Sequence, residues 1–130
     1  MAGNSEGDEA DDGFDMGRLT THVLDTANGR PAAGVAVRVC RAGEPARILA
    51  ATVTNADGRA PRPLLEGPAF VDGAYDIEFD IGAYFGSLDP QTGETPFLDT
   101  VVVRVRLAGN ADYHVPLLAS PWSYTTYRGS

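Results

Sequence analysis

The chain has 130 residues, which suits one domain with a buried core and is too short for two. Six of its acids and no Arg or Lys fall within residues 1–17, so the formal net charge of −8 leaves −2 for the remainder. A near-neutral body with an acidic leader excludes the basic footprint of a nucleic-acid-binding protein. All ten basic residues are arginine, which excludes a lysine nucleophile or a Schiff-base enzyme.

Residues 1–17 are predicted to be a disordered acidic leader, and residues 18–130 are predicted to be one folded domain. The leader is dense in charge and has no hydrophobic period. It has no apolar segment of a secretory signal, and no run in the chain approaches the roughly 18 apolar residues of a membrane span. We therefore expect a cytoplasmic protein that does not partner with a membrane.

The cysteine and histidine content indicates neither a disulfide framework nor a zinc site. Cys40 is the single cysteine and has no partner for an internal disulfide, which suits a reducing compartment. It falls inside a predicted strand, so we interpret it as a small core residue rather than as a nucleophile. The two histidines are widely separated and form no zinc-spacing motif. We expect no metal and no cofactor.

Alternation of apolar and polar residues predicts short strands along most of the domain. The first begins at Arg18, and its two faces are Leu19, Thr21, Val23 and Thr20, His22, Leu24. Further strands are predicted at 35–40, 48–54, 75–81 and 101–107, with a C-terminal pair at 114–118 and 122–127. The 75–81 strand has one apolar and one anionic face, and residues 82–88 form the one plausible helix. The pattern predicts an all-β protein, an antiparallel β-sandwich of seven or eight strands with one short helix.

Two histidines and one arginine are candidates for chemistry. An enzyme that transfers protons near neutral pH most naturally uses histidine, which points to His22 and His114. The alternative for each is a histidine that packs or faces solvent in a strand. Arg59 leads out of the turn N-A-D-G-R at 55–59, where Gly58 is predicted to supply a positive φ. The alternative for Arg59 is a solvated turn residue.

The last eighteen residues, from Tyr113 to Ser130, are rich in aromatic and hydroxyl side chains. They contain two apolar or aromatic segments separated by Pro121, which predicts two strands and a turn. Such a segment is expected to belong to the fold rather than to form a polar tail. From the residues alone it is a strand that closes a sheet, with Tyr and Trp as packing residues.

Four separated segments resemble the 5-hydroxyisourate hydrolases, the transthyretin-like enzymes of urate breakdown. They are L-T-T-H-V-L-D at 19–25 followed by G-R-P-A-A-G-V, T-N-A-D-G-R at 54–59, Y-H-V-P-L-L at 113–118, and Y-R-G-S at 127–130. The resemblance covers essentially all of residues 18–130. Transthyretin, the hormone carrier with the same fold, lacks the Y-R-G-S ending, so this ending favours the enzyme over the carrier.

The resemblance implies a transthyretin-like (prealbumin-like) fold and hydrolysis of 5-hydroxyisourate to 2-oxo-4-hydroxy-4-carboxy-5-ureidoimidazoline, without metal. It implies that the catalytic residues are His22, Arg59, His114 and Ser130, and that His22, Arg59 and Tyr127 bind substrate. The two histidines would share the acid and base work, and Arg59 would stabilise developing negative charge. Tyr127 would hold the substrate, and Ser130 would orient a histidine or the water through its hydroxyl or a terminal carboxylate. The resemblance also implies a homotetramer with sites at subunit interfaces.

The chain departs from the family pattern at two places. Asp112 stands where many members have a second histidine two positions before His114, and P-F-L-D-T at 96–100 replaces a more aromatic segment. Two other functions stay open: a non-catalytic sandwich that binds a small apolar or aromatic ligand, and a structural or adhesive sandwich that uses its edges. A ligand carrier would be expected to have apolar residues at positions such as His22 and Arg59.

Overall fold

Within residues 17–89 and 95–129, the chain forms two β-sheets and one short helix. The computed structural model describes residues 17–89 and 95–129, so Ser130 and residues 1–16, where the acidic leader is predicted, lie outside the described residues. The strands are β1 (Arg18–Asp25), β2 (Arg30–Pro31), β3 (Ala36–Arg41), β4 (Ile48–Val53), β5 (Leu65–Glu66), β6 (Gly73–Asp80), β7 (Thr100–Leu107), β8 (Tyr113–Ala119) and β9 (Tyr124–Thr126). The helix α1 spans Ile81–Leu88, and a 3₁₀ turn spans Gly67–Ala69.

The strands form a five-stranded and a four-stranded sheet. The first has the order β9-β8-β1-β2, with β5 also paired to β1, and the second has the order β4-β3-β6-β7. Among the named strands of the described residues, β1 and β8 pair in parallel and the remaining pairs are antiparallel. The predicted all-β sandwich with one short helix is confirmed, and the parallel β1–β8 pair is the feature that the sequence did not indicate.

The core lies between the sheets, and the alternation of β1 determines which of its side chains enter it. Leu19, Thr21 and Val23 are buried, whereas Thr20 and His22 are only half-buried on the opposite face. Fully burying a Val or Leu side chain contributes about 1.5–3 kcal/mol, so a slip of one residue in register would expose the apolar set. The core-facing residues of β1 therefore determine that His22 lies on the outer face of the first sheet.

The anionic face predicted for the 75–81 strand is neutralised by arginines from the two neighbouring strands. In β6, the Asp76 carboxylate accepts from Arg104 of β7 at 2.8 Å. Arg38 of β3 lies 3.1 Å from Glu78 and 2.8 Å from Asp80. These cross-strand ion pairs explain how a strand with three acids sits between two neighbours in the interior of a sheet.

Cys40 and the short helix lie where the sequence patterns predict them, apart from the first residue of the helix. Cys40 is buried, and burial raises the pKa of its thiol, which confirms a core residue rather than a reactive one. The predicted helix at 82–88 is present but begins one residue earlier, at Ile81. Ile81 is fully buried, and an apolar residue at the end of an alternating segment does not show where the strand gives way to a helix. No helix in residues 17–89 and 95–129 is long and apolar enough to cross a membrane.

Candidate active site

Three separate segments meet around His114 on the outer face of the first sheet. Thr20 in β1 is the register partner of His114 in β8. The turn that ends at Arg59 forms an isolated backbone bridge with His22, and the C-terminal segment forms another between Gly129 and His114. The fold therefore brings His22, Arg59 and His114 together from positions up to 92 residues apart in sequence.

An open cavity of about 390 Å³ lies at this meeting point. Its lining is polar and consists of Arg18, Thr20, Arg59, Asp112 and His114. This volume lies at the lower end of the range of small-molecule sites, which suits a small, compact ligand. Within the described part of the chain, no group of three His, Cys, Asp or Glu side chains is arranged to hold a metal ion.

The turn that carries Arg59 is attached to β1 by both backbone and side chain. The Val23 N–H donates to the Gly58 carbonyl at 2.7 Å. The His22 Nε2 lies 2.9 Å from the Asp57 carbonyl oxygen, and since a carbonyl only accepts, Nε2 carries the hydrogen. His22 thus connects the outer face of β1 to the turn, and this contact fixes the place where Arg59 leaves it.

The local sequence of this turn explains its shape. Gly58 has φ 77°, as predicted, and a Cβ there would lie 2.4 Å from the Val23 carbonyl oxygen. The Asn55 side-chain oxygen accepts from the N–H groups of Asp57 at 2.9 Å and Arg59 at 3.1 Å. Asn is suited to this role because its short amide caps nearby backbone donors. Gly58 and Asn55 are therefore both needed for the close approach of the turn to β1.

His114 is the titratable group best placed for proton transfer in this cavity. Its Nδ1 lies 2.8 Å from the Thr20 hydroxyl oxygen, and the centroid of its ring is 6.5 Å from that of His22. Partial burial lowers the pKa of His114, and electrostatic repulsion from Arg59 and from the neighbouring imidazole lowers it further. The imidazole is therefore neutral at neutral pH and carries one nitrogen that can accept a proton.

The C-terminal segment is held against the other side of His114. The Gly129 N–H donates to the His114 carbonyl at 2.6 Å, and a Cβ on Gly129 would lie 2.9 Å from the ring carbon Cδ2. The Arg128 guanidinium lies 4.0 Å from the centre of the Tyr113 ring and donates to the Asp112 carbonyl at 3.1 Å. These contacts fix the last described residues of the chain beside the cavity.

Of the predicted site residues, Arg59 and His114 line this cavity, whereas His22 and Tyr127 do not. Tyr127 is 56% exposed and lines a separate groove of about 320 Å³ together with Val103, Val105 and Arg128. Ser130 lies outside the described residues, although Gly129, which directly precedes it, contacts His114. In the single chain, His114 thus lies between Thr20 and Gly129 and shares the cavity with Arg59. The ring of His22 lies 6.5 Å away, measured between ring centroids.

The cavity also contains residues for which the sequence patterns indicated no role. Arg18 and Thr20 lie four and two positions before His22, so the period of a strand places them on its face. The alternation of β1 could have placed both residues on the face of His22. It could not have shown that they line a site, because an outer face also carries ordinary surface residues. Asp112, noted only as a departure from the family pattern, accepts from the Arg18 backbone N–H at 3.1 Å. Its placement depends on the parallel pairing of β1 and β8, which no sequence period indicates.

Residues 19–129 match the model of the HIUase/Transthyretin family. The chain belongs to this family. Among its curated relatives is the 5-hydroxyisourate hydrolase of Pseudomonas aeruginosa, which is 49% identical over 117 residues, or 88% of this chain and 93% of the relative. The hydrolase resemblance seen in the four sequence segments thus extends over nearly the full length of both proteins.

Solved structures of the HIUase/transthyretin family confirm the transthyretin-like fold. An (S)-allantoin synthase has a TM-score of 0.81 and 44% identity over 92% of this chain, which spans 46% of that protein. The 5-hydroxyisourate hydrolase of Klebsiella pneumoniae has a TM-score of 0.73 and 33% identity, covering 88% of this chain and 100% of that one. Sea bream transthyretin in complex with thyroxine has the same TM-score and identity, covering 86% and 94%. The fold therefore does not distinguish an enzyme from a carrier. The residues of the site have to make that distinction.

Proposed function

We propose that this chain is an enzyme of urate breakdown that hydrolyses 5-hydroxyisourate to 2-oxo-4-hydroxy-4-carboxy-5-ureidoimidazoline in the cavity lined by Arg59 and His114. The observation that carries the proposal is the joint placement of a neutral imidazole and a guanidinium around one small polar cavity. The near full-length match to a curated hydrolase of this name supports the choice of substrate.

His114 acts as the general base. A base that works near neutral pH has to be unprotonated in the resting enzyme, and the lowered pKa of His114 meets this requirement. Its Nε2 takes a proton from water while the water oxygen forms a bond to an amide-type carbonyl carbon of the substrate ring. The carbonyl oxygen then carries the negative charge of a tetrahedral intermediate.

Arg59 stabilises this charge and orients the substrate. A guanidinium presents several N–H donors in one plane, which matches the carbonyl-rich edge of a planar purine derivative. The backbone from which Arg59 extends is fixed by the turn attached to β1, so little backbone reorganisation is needed when the oxyanion forms. A donor aimed at the developing charge contributes about 10²–10³ to kcat in other acyl-transfer enzymes.

The intermediate collapses by cleavage of the ring C–N bond. The proton held on His114 passes to the leaving nitrogen, so the same imidazole returns to its neutral form. The six-membered ring opens to a carboxylic acid, which releases its proton to solvent and becomes a carboxylate. Protons and charge balance without a redox step. His22 contributes by positioning, since its Nε2–H is used on the Asp57 carbonyl of the turn that carries Arg59.

Tyr127 and Ser130 complete the proposed set. Ser130 directly follows Gly129, which contacts His114, and its hydroxyl is proposed to orient the attacking water or the imidazole. Tyr127 is proposed to hold the substrate from a neighbouring subunit, because it lines a separate exposed groove in its own chain. Replacement of Tyr127 by Phe is expected to raise KM, and replacement of Ser130 by Ala is expected to lower kcat.

A homotetramer with sites at subunit interfaces is part of the same proposal. The cavity is open on the outer face of a sheet, and the edge strands β7 and β9 expose Val102 (46%) and Tyr124 (44%). Unpaired edges with apolar side chains are surfaces through which sandwiches associate symmetrically. Light scattering should give the mass of four chains for the wild type and a smaller mass for Val102→Glu. The Val102→Glu variant should also be less active. A fully active monomeric wild type would exclude the tetramer.

We also propose that the enzyme works in the cytoplasm. The support for this location is Cys40, the single cysteine of the chain, whose buried thiol suits a reducing compartment. Fractionation of cells that express the full chain, followed by immunoblotting, checks this location.

The chemistry of the cavity favours the hydrolase over a carrier of apolar ligands. Arg18, Arg59, Asp112 and His114 contribute charged or polar groups to its lining. An apolar ligand would displace water from these groups without offering a hydrogen bond in return. The two functions also differ in what they do to 5-hydroxyisourate: a hydrolase accelerates its decay, whereas a carrier does not.

The test generates 5-hydroxyisourate in the cuvette from urate with uricase and follows the decay of its ultraviolet absorbance after the protein is added. The wild type should accelerate the decay well above the spontaneous rate, and Arg59→Gln and His114→Gln should each lose most of that acceleration while remaining folded. Arg47→Gln is the control, because its side chain is 76% exposed and pairs with Glu44 outside the site. A folded wild type that leaves the spontaneous rate unchanged would overturn the hydrolase proposal.

A further inference from the structure

The ring of His114 is held at both of its edges, which leaves one nitrogen for the cavity. On one edge, Nδ1 lies 2.8 Å from the Thr20 hydroxyl oxygen. On the other, Cδ2 lies so close to Gly129 that a Cβ there would be 2.9 Å away. Since Nδ1 and Cδ2 flank the atom that joins the ring to its side chain, the far end with Nε2 is the part left for the cavity. The Thr20 contact therefore concerns the nitrogen that is not available to the reaction.

The position of the Thr20 hydroxyl is determined by the backbone rather than by a flexible side chain. Thr20 is paired with His114 in the parallel register of β1 and β8. The seven aligned residue pairs of this ladder, from Leu19 with Tyr113 to Asp25 with Ala119, fix that register. A β-branched threonine also has few accessible rotamers in a strand. The hydroxyl is thus placed against Nδ1 before any ligand binds.

The direction of the Thr20–His114 hydrogen bond decides whether the imidazole can act as a base. If the Thr20 hydroxyl donates to Nδ1, the hydrogen of neutral His114 is on Nε2, and the nitrogen that faces the cavity has no lone pair to offer. If Nδ1–H donates to the hydroxyl oxygen, Nε2 has the lone pair. An accepting hydroxyl also keeps its bond when the ring becomes an imidazolium, whereas a donating one would have to turn over.

We propose that Thr20 is a positioning residue that accepts a hydrogen bond from His114 Nδ1–H and so keeps the lone pair on Nε2, an inference that rests on the proposed base role of His114. Thr20 has no second hydrogen-bond partner within the described residues, so its own hydrogen is free to point into the cavity that it helps to line. It then serves as an additional donor towards the oxygen-rich substrate.

Three variants separate this role from a general effect on folding. Thr20→Val keeps the branched shape without the hydroxyl and should lower kcat about tenfold, the equivalent of one hydrogen bond, with a smaller change in KM. Thr20→Ser restores the hydroxyl and should recover most of the lost rate. Thr21→Val is the matched control, because it removes a hydroxyl that bonds to β8 on the opposite face of the same strand. It should leave kcat within about twofold of the wild type.

The tautomer is measured directly by ¹⁵N NMR of the ligand-free protein, which does not depend on turnover. The chain has two histidines, so the spectrum of His114→Gln identifies the signals of His114 by their absence. The wild type should show a protonated Nδ1 and an unprotonated Nε2, and Thr20→Val should shift this balance towards a protonated Nε2. A protonated Nε2 in the wild type, or a Thr20→Val enzyme with wild-type kcat, would overturn the proposal. A chain without hydrolase activity would still report its tautomer, so the two proposals can fail separately.

Discussion

Gly129 and His114 lie closer together than a residue with a side chain would allow. A Cβ on Gly129 would be 2.9 Å from Cδ2 and 3.4 Å from the Cβ of His114, and the Gly129 N–H donates to the His114 carbonyl at 2.6 Å. Glycine at this position is therefore required by the histidine ring. The Y-R-G-S ending contributes to the site through the backbone of its glycine, in addition to any role of its side chains.

Replacement of Gly129 by Ala should displace the ring of His114 and lower kcat by about 10- to 100-fold, because small misplacements of a reacting group are costly. The change lies near the end of the chain, so the free energy of unfolding should decrease by less than about 1 kcal/mol. Stopped-flow assays and urea unfolding measure the two effects. The control is Thr125→Ala, an exposed position of the same segment. Wild-type kcat in folded Gly129→Ala would contradict this placement of the ring.

The pKa of His114 should respond to Arg59. Burial is the larger cause of the lowered pKa, and the positive charge of Arg59 lowers it further. Arg59→Gln should therefore raise the pKa towards the ordinary value of about 6.5 without reaching it, because the burial remains. An NMR titration of the ring proton on Cε1 measures the shift even if the variant is inactive. Arg47→Gln, with its side chain 76% exposed, should leave the titration unchanged. An unaltered pKa in Arg59→Gln would show that the guanidinium does not face the imidazole.

Removal of His22 should affect substrate binding through the turn at 55–59. His22→Ala loses the donor to the Asp57 carbonyl and should raise KM about tenfold, with a loss of stability below about 1.5 kcal/mol because the bond is exposed. Hydrogen exchange at the Arg59 amide should become faster. Asp57→Ala is the matched control, since it keeps the backbone carbonyl that accepts this bond. A loss of kcat with unchanged KM would instead place His22 in the proton transfer itself.

The buried carboxylate of Asp76 should make the stability of the fold sensitive to acid. Hydrogen bonds from Arg104 and from the Gly43 N–H lower its pKa, against burial, which raises it. Because the folded pKa lies below the unfolded value of about 3.9, the stabilisation is complete above that value and is lost as the pH falls through the folded pKa.

Asp76→Asn should therefore be less stable than the wild type at pH 7, by about 1–3 kcal/mol, and should lose less stability on acidification below about pH 4. Urea unfolding at a series of pH values measures both effects. Glu66→Gln, an exposed position in β5, should follow the wild-type curve. Parallel curves for wild type and Asp76→Asn would show that the ion pair with Arg104 does not contribute to stability.

The sequence predicts the fold well where one face of a strand is buried. The period of two in β1 assigns Leu19 and Val23 to the core and His22 to the outer face, because only one register buries the apolar set. The same argument holds for β6, where Tyr75 and Phe79 are fully buried. The alternation of apolar and polar residues does not reveal which other strand pairs with a given strand. The parallel pairing of β1 with β8, and hence the contact of Thr20 with His114, depends on the tertiary fold.

The site is predicted in part for the same reason. The motifs give His22, Arg59 and His114, and the fold brings these residues together. They do not give the direction of a side chain after a strand ends, and Tyr127, one residue after β9, lines a separate groove. They also do not reveal that the Nε2 of His22 is used by the Asp57 carbonyl, which makes the two histidines unequal. These features depend on contacts between segments that are distant in sequence.

In the proposed mechanism, His114 rather than His22 is the base that activates water. The most direct test is the pH dependence of kcat/KM for wild type, His22→Gln and His114→Gln, with 5-hydroxyisourate supplied by uricase. The wild type and His22→Gln should both lose activity as the pH falls through the lowered pKa of His114, below about 6.5, because the protonated ring accepts no proton. His114→Gln should show no such acid limb and a rate near background. An acid limb that persists in His114→Gln and disappears in His22→Gln would contradict the assignment.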